Sequence, residues 1–136
     1  MVCTLVVDNG ALFRRALKLV LSRHFPDLLV IETSRGDNLL EKIDSCLPDL
    51  ILMDVHLQGK NGLELTKEIK EAYPNIPVAI VTNYDLNEYR AKAYENGADR
   101  FIPKGVLTTD DIVALVKPVV LKARRRQAPA SAPSVA

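Results

Sequence analysis

Short unbroken apolar runs alternate along this chain with segments whose apolar residues recur every three or four positions. Runs of that length, bounded by turn-forming residues, suit strands buried on both faces, and their alternation with amphipathic helices predicts βα units around a parallel sheet. Strands are predicted at 3–7, 28–31, 50–53, 78–81 and 100–102. Between them Phe13, Ala16, Leu17, Val20 and Leu21 form one helical stripe, Leu39, Leu40 and Ile43 a second, and Leu65, Ile69 and Ala72 a third. A fourth, less apolar helix spans 86–96 and ends at Gly97, which suits a left-handed cap. The fifth begins near Thr108, at capping-box spacing from Asp111, and carries Ile112, Val113, Leu115 and Val116. Pro118 lies inside that last pattern, where a missing N–H and a ring clash cost about 3 kcal/mol and predict a kink or an early stop.

The polar residues that close the apolar runs carry the chemistry. Asp54 follows Leu50-Ile51-Leu52-Met53, Asp8 and Asn9 follow Leu5-Val6-Val7, Thr82 follows Val78-Ala79-Ile80-Val81, and Lys104 follows Phe101-Ile102-Pro103. In open α/β sheets ligands bind in the crevice at the C-terminal ends of the strands, so acid, hydroxyl and amine are expected to converge on Asp54. Singly, each has a plainer reading: Asp54 as a turn carboxylate, Thr82 as a β-former, Lys104 as a solvated turn residue. Their joint placement is what points to a site.

Composition adds limits. A chain of 136 residues with 48% hydrophobic and 26% charged residues is one globular domain that needs no staple, and a formal charge of +1 gives no global argument for a nucleic-acid partner. Cys3 and Cys46 fall in different predicted elements without metal-ligand spacing, so reduced thiols in a cytosolic protein are expected. The first apolar stretch is broken by Asp8, and no run approaches the roughly 18 residues of a membrane span, which makes a cytoplasmic location without a membrane partner the expectation. The basic run Lys122, Arg124, Arg125 and Arg126 ends a helix, where cations suit the dipole, and no aromatic residue is interleaved with it. Beyond Arg126 the Ala/Pro/Ser-rich residues have too little apolar surface to fold, and read as a tail or linker.

With its strand-end residues in this order and the Asn61-Gly62 turn after Asp54, the chain resembles the receiver domain of bacterial two-component response regulators over about residues 2–122. The opening Val7-Asp8-Asn9-Gly10-Ala11-Leu12-Phe13-Arg14 is similar to receivers that precede a helix-turn-helix DNA-binding domain. The resemblance implies a flavodoxin-like (βα)5 fold, a doubly wound parallel sheet of order 2-1-3-4-5. It divides the chain into a receiver at 1–122 and a basic helix end with tail or linker at 123–136. It implies a phosphoacceptor signalling domain and not an enzyme: Asp54 accepts a phosphoryl group from a sensor histidine kinase, with Thr82 and Lys104 on the phosphoryl oxygens. Mg²⁺ would be held by Asp8, Asn9, Asp54 and the backbone carbonyl of His56. Thr82 and Phe101 would act as switch residues, Phe101 turning inward to change a face of helix four, strand five and helix five through which a homodimer could form. DNA would be met only through an output domain absent from this chain.

Several residues depart from the family's pattern. Asn9 stands where a second acid is usual, which is expected to weaken Mg²⁺ without abolishing its binding. Gln58 and Gly105 stand where proline is frequent, and Asn83 where a small residue follows the threonine. These departures motivate a rival: a receiver-like binding module that works without phosphorylation. An enzyme with an aspartyl nucleophile would want an acid two residues after Asp54, where His56 stands, and no glycine-rich nucleotide fingerprint is present.

Overall fold

The computed structural model describes residues 1–127, in which strands and helices alternate strictly. The order is β1 (Cys3–Val7), α1 (Ala11–His24), β2 (Leu29–Thr33), α2 (Leu39–Cys46), β3 (Leu50–Met53), α3 (Gly62–Ala72), β4 (Val78–Thr82), α4 (Asn87–Glu95), β5 (Arg100–Pro103) and α5 (Thr109–Gln127), with a short 3-10 turn at Lys104–Val106 before α5. All strand pairings are parallel and the sheet order is β2-β1-β3-β4-β5. Because the order reverses between β1 and β3, with Val7 level with Met53, Asp8 and Asp54 leave neighbouring strands at the crevice.

The unbroken apolar runs are explained by a core on each side of the sheet. Val6, Leu52 and Val81 face one way, onto Leu17 and Leu21 of α1 and Ile112, Val116 and Val120 of α5. Their strand neighbours Val7, Met53 and Ile80 face the other way, onto Ile43 of α2, Leu65 and Ile69 of α3 and Ala93 of α4. Each fully buried Leu, Ile or Val side chain contributes about 1.5–3 kcal/mol, so the fully buried strands β1, β3 and β4 are held firmly on both faces.

The capping-box expectation holds: Asp111 N donates to Thr108 Oγ1 at 3.1 Å and Thr108 N to Asp111 Oδ2 at 3.0 Å, which holds the Asp111 carboxyl below its ordinary value. Gly97 has φ +101°, the left-handed conformation expected at the end of α4. Pro118 does not stop α5, which continues to Gln127. The proline is exposed, while Val116, Val120 and Ala123 anchor the helix on both sides of it, so tertiary packing overrides the local penalty. Residues 123–127 therefore continue the helix and Ala123 belongs to the core, while the expected tail at 128–136 lies outside the described residues.

Candidate functional site

Asp54 sits one residue past β3 and is buried, and its backbone N–H donates to the Val7 carbonyl at 2.9 Å, tying it to the neighbouring strand. Its Oδ1 accepts from the Val55 N–H at 2.7 Å. Its Oδ2 meets the Lys104 ammonium at 3.4 Å, and the same ammonium lies 2.7 Å from Asp8 Oδ2. Lys104 thus bridges the two acids, with its side chain 11% exposed. The other Asp8 oxygen, Oδ1, accepts from Gly10 N at 2.7 Å. Two buried carboxylates share one half-buried cation, which leaves one uncompensated negative charge: an arrangement ready for a further positive group.

The turn after Asp54 is built around Gly62. Gly62 N donates to the Val55 carbonyl at 2.8 Å, and a Cβ on Gly62 would collide with the Asp54 carbonyl oxygen, so only glycine lets α3 start this close to the acid. Asn61 caps α3, its Oδ1 accepting from Leu63 N at 2.7 Å. Gln58, in place of a turn proline, pairs with Arg35 in an isolated parallel bridge, and Gly36 N donates to its carbonyl at 2.9 Å. The loop is therefore held by the neighbouring β2–α2 connection.

The other expected members are placed as follows. Thr82 ends β4 fully buried, and its Oγ1 accepts from Tyr84 N at 3.3 Å and makes no bond to Asp54. Asn9 is exposed beside Asp8. The His56 ring is exposed and packs edge-on against Tyr84, centroids 4.2 Å apart. Asn83 lines a groove of about 460 Å³ that runs from Lys104 between α1 and α5, walled by Phe13, Ala16, Val20 and Leu107. The Phe101 ring lies inside at 4% exposure, where Arg90 covers it and the Tyr94 hydroxyl accepts its backbone N–H at 3.1 Å. Cys3 and Cys46, from separate elements, come together as neighbouring thiols. Burial, with Cys46 and Asp49 alongside, pushes Cys3 up to about 11.

Sequence reasoning missed three supporting residues. Arg14 Nη1 donates to the Asp8 carbonyl at 2.6 Å, its Nε meets Glu32 at 3.3 Å, and the ring of Phe13 lies 4.1 Å from the Lys104 ammonium. Only the basic pair Arg14 and Lys18, one turn apart on α1 and both within reach of Glu32, left a readable signal.

This arrangement defines a receiver-type α/β domain in which Asp8, Asp54 and Lys104 meet at the C-terminal ends of the strands. Residues 4–117 match the response regulator receiver domain family, and the chain belongs to it. It is 32% identical over 124 residues to the DNA-binding transcriptional regulator NtrC of Escherichia coli, covering 91% of this chain and 26% of that protein. It is 28% identical over 114 residues to the transcriptional regulatory protein DegU of Brevibacillus brevis, covering 84% of this chain and 48% of the relative. The chain thus spans less than half the length of these relatives. Among solved structures, a CheY-like response regulator receiver domain protein from Methanospirillum hungatei superposes with a TM-score of 0.80 at 23% identity, covering 94% of this chain and 99% of that one. The protein is a two-component signalling domain, of a family that typically binds Mg²⁺. Among the described residues no helix is long and apolar enough to cross a membrane.

Proposed function

We propose that Asp54 accepts a phosphoryl group from a histidine kinase and that the domain passes the change to a protein-interaction surface. The observation that carries this reading is the Lys104 ammonium shared between buried Asp8 and Asp54. With Oδ1 tied to Val55 N, Asp54 keeps Oδ2 for attack. In the transfer a P–O bond forms to Oδ2 as the donor's P–N bond breaks, and the donor imidazole keeps that electron pair. The approaching group is anionic, and Lys104 neutralises it by moving from Asp8 to a phosphoryl oxygen. Thr82 Oγ1 donates to another once its loop closes.

The oxygens that would hold Mg²⁺ suit it chemically: two carboxylates, the Asn9 amide and the His56 carbonyl are all hard donors, and the residual negative charge favours a dication. Bound there, Mg²⁺ would supply positive charge against phosphoryl oxygens. An output domain, DNA-binding as the NtrC relative's name states, would receive the signal from outside this chain.

Incubation of the protein with acetyl phosphate and Mg²⁺ should give a hydroxylamine-labile label on Asp54 that is absent from Asp54→Asn. Labelling that persists in Asp54→Asn refutes the assignment. A second reading, a binding module independent of phosphorylation, is favoured by the neutral Asn9 beside Asp8, where the family usually has a second acid. It is selected if no donor labels the protein.

A further inference from the structure

We infer that Phe13 is a positioning residue for phosphoryl acceptance, its ring face holding the Lys104 ammonium where it can serve Asp54; this rests on the reading of Asp54 as phosphoacceptor. An ammonium has three N–H donors. Two sides of this one are taken by Asp8 Oδ2 at 2.7 Å and Asp54 Oδ2 at 3.4 Å, and a third faces the Phe13 ring at 4.1 Å from its centroid. A cation so placed is attracted by the ring quadrupole, most strongly where water is excluded.

Lys104 opens the short 3-10 turn, where a Cβ on Gly105 would meet nothing and Val106 is 67% exposed, so the side chain has no neighbours of its own turn to lean on and its ammonium is placed by what its tip touches. Phe13 packs against the core between α1 and α5, and the start of its helix is tied to Asp8. The helix that carries it has no side-chain cap, and its first turn is held by Gly10 N on Asp8 Oδ1 at 2.7 Å and Arg14 Nη1 on the Asp8 carbonyl at 2.6 Å. Asp8, Lys104, Phe13 and the start of α1 therefore form a closed ring of contacts. When a phosphoryl oxygen replaces Asp8 as the partner of Lys104, the ring face can follow the ammonium through the swing, because its attraction is not tied to one lone pair. Leucine at this position would fill the space without that attraction.

The test compares the rate of Asp54 labelling by acetyl phosphate in the wild type, Phe13→Leu and Phe13→Trp, and records the Lys104 Cε proton shifts by NMR in unlabelled protein. Phe13→Leu should slow labelling by about 3- to 30-fold, the range a cation–π contact supports, and Phe13→Trp should restore it. The Cε protons should be displaced upfield by the ring current in the wild type and return toward ordinary values in Phe13→Leu. Equal rates in wild type and Phe13→Leu, or failure of Phe13→Trp to restore the rate, overturn the inference while Asp54 stands. A wild type that takes no label overturns the Asp54 reading itself, and the role of Phe13 with it. If Phe13→Leu does not fold, Phe13→Met replaces it, and an absent ring-current shift in the wild type still refutes the contact.

Discussion

Arg90 lies over the ring of Phe101, its guanidinium carbon 4.8 Å from the centroid, and its Nη1 reaches the carbonyl oxygen of the same residue at 3.5 Å. With Tyr94 taking the Phe101 N–H, α4 holds this residue of the outer strand by ring, donor and acceptor together. Arg90→Ala should lower stability by about 0.5–1.5 kcal/mol in urea unfolding and speed amide exchange at Phe101. Unchanged exchange at Phe101 would mean that core packing alone keeps the ring inside.

Gly62→Ala should be among the most damaging single changes, because the added methyl group meets backbone and not a flexible side chain. A loss of roughly 3 kcal/mol or more is expected, with displaced Asp54 and Val55 resonances in whatever fraction stays folded. A thermal midpoint equal to that of the wild type would show that the α3 start can retreat from Asp54.

Asn9→Asp should tighten Mg²⁺ by roughly tenfold or more, since a further unit charge 4 Å from a dication is worth about 2 kcal/mol even at the dielectric of water. Isothermal titration calorimetry on unlabelled protein measures this directly. An unchanged affinity would place Asn9 outside the metal site.

Pro118→Ala should raise stability by about 1–3 kcal/mol, because the exposed proline withholds one helical hydrogen bond inside an otherwise continuous α5. Urea unfolding of both forms checks it. A variant no more stable than the wild type would mean that α5 already accommodates the ring at no cost.

The strand ends were legible because burial on both faces leaves no polar residue inside the runs, so Asp8, Asp54, Thr82 and Lys104 stand out where each run closes. The early stop at Pro118 did not occur because Val116, Val120 and Ala123 pack on both sides of it, about which local propensity carries no information. Phe101 was legible as a core residue but its cover by Arg90 was not, since Arg90 lies eleven residues away and belongs to the least apolar helix. The contact of Phe13 with Lys104 and that of Arg14 with the Asp8 carbonyl were invisible for a similar reason: they depend on how α1 sits over Asp8, which spacing does not encode. The meeting of Cys3 and Cys46 depends likewise on where α2 ends against the sheet.

The bridging position of Lys104 makes the pocket behave like an ion-exchange resin that carries its own counterion. An arriving cation would take up the residual charge beside an ammonium 2.7 Å from Asp8, and an arriving anion would have to draw that ammonium away. Selectivity is then set by differences between partners of one lysine, and a ligand too weak to displace it leaves the resting arrangement as it was.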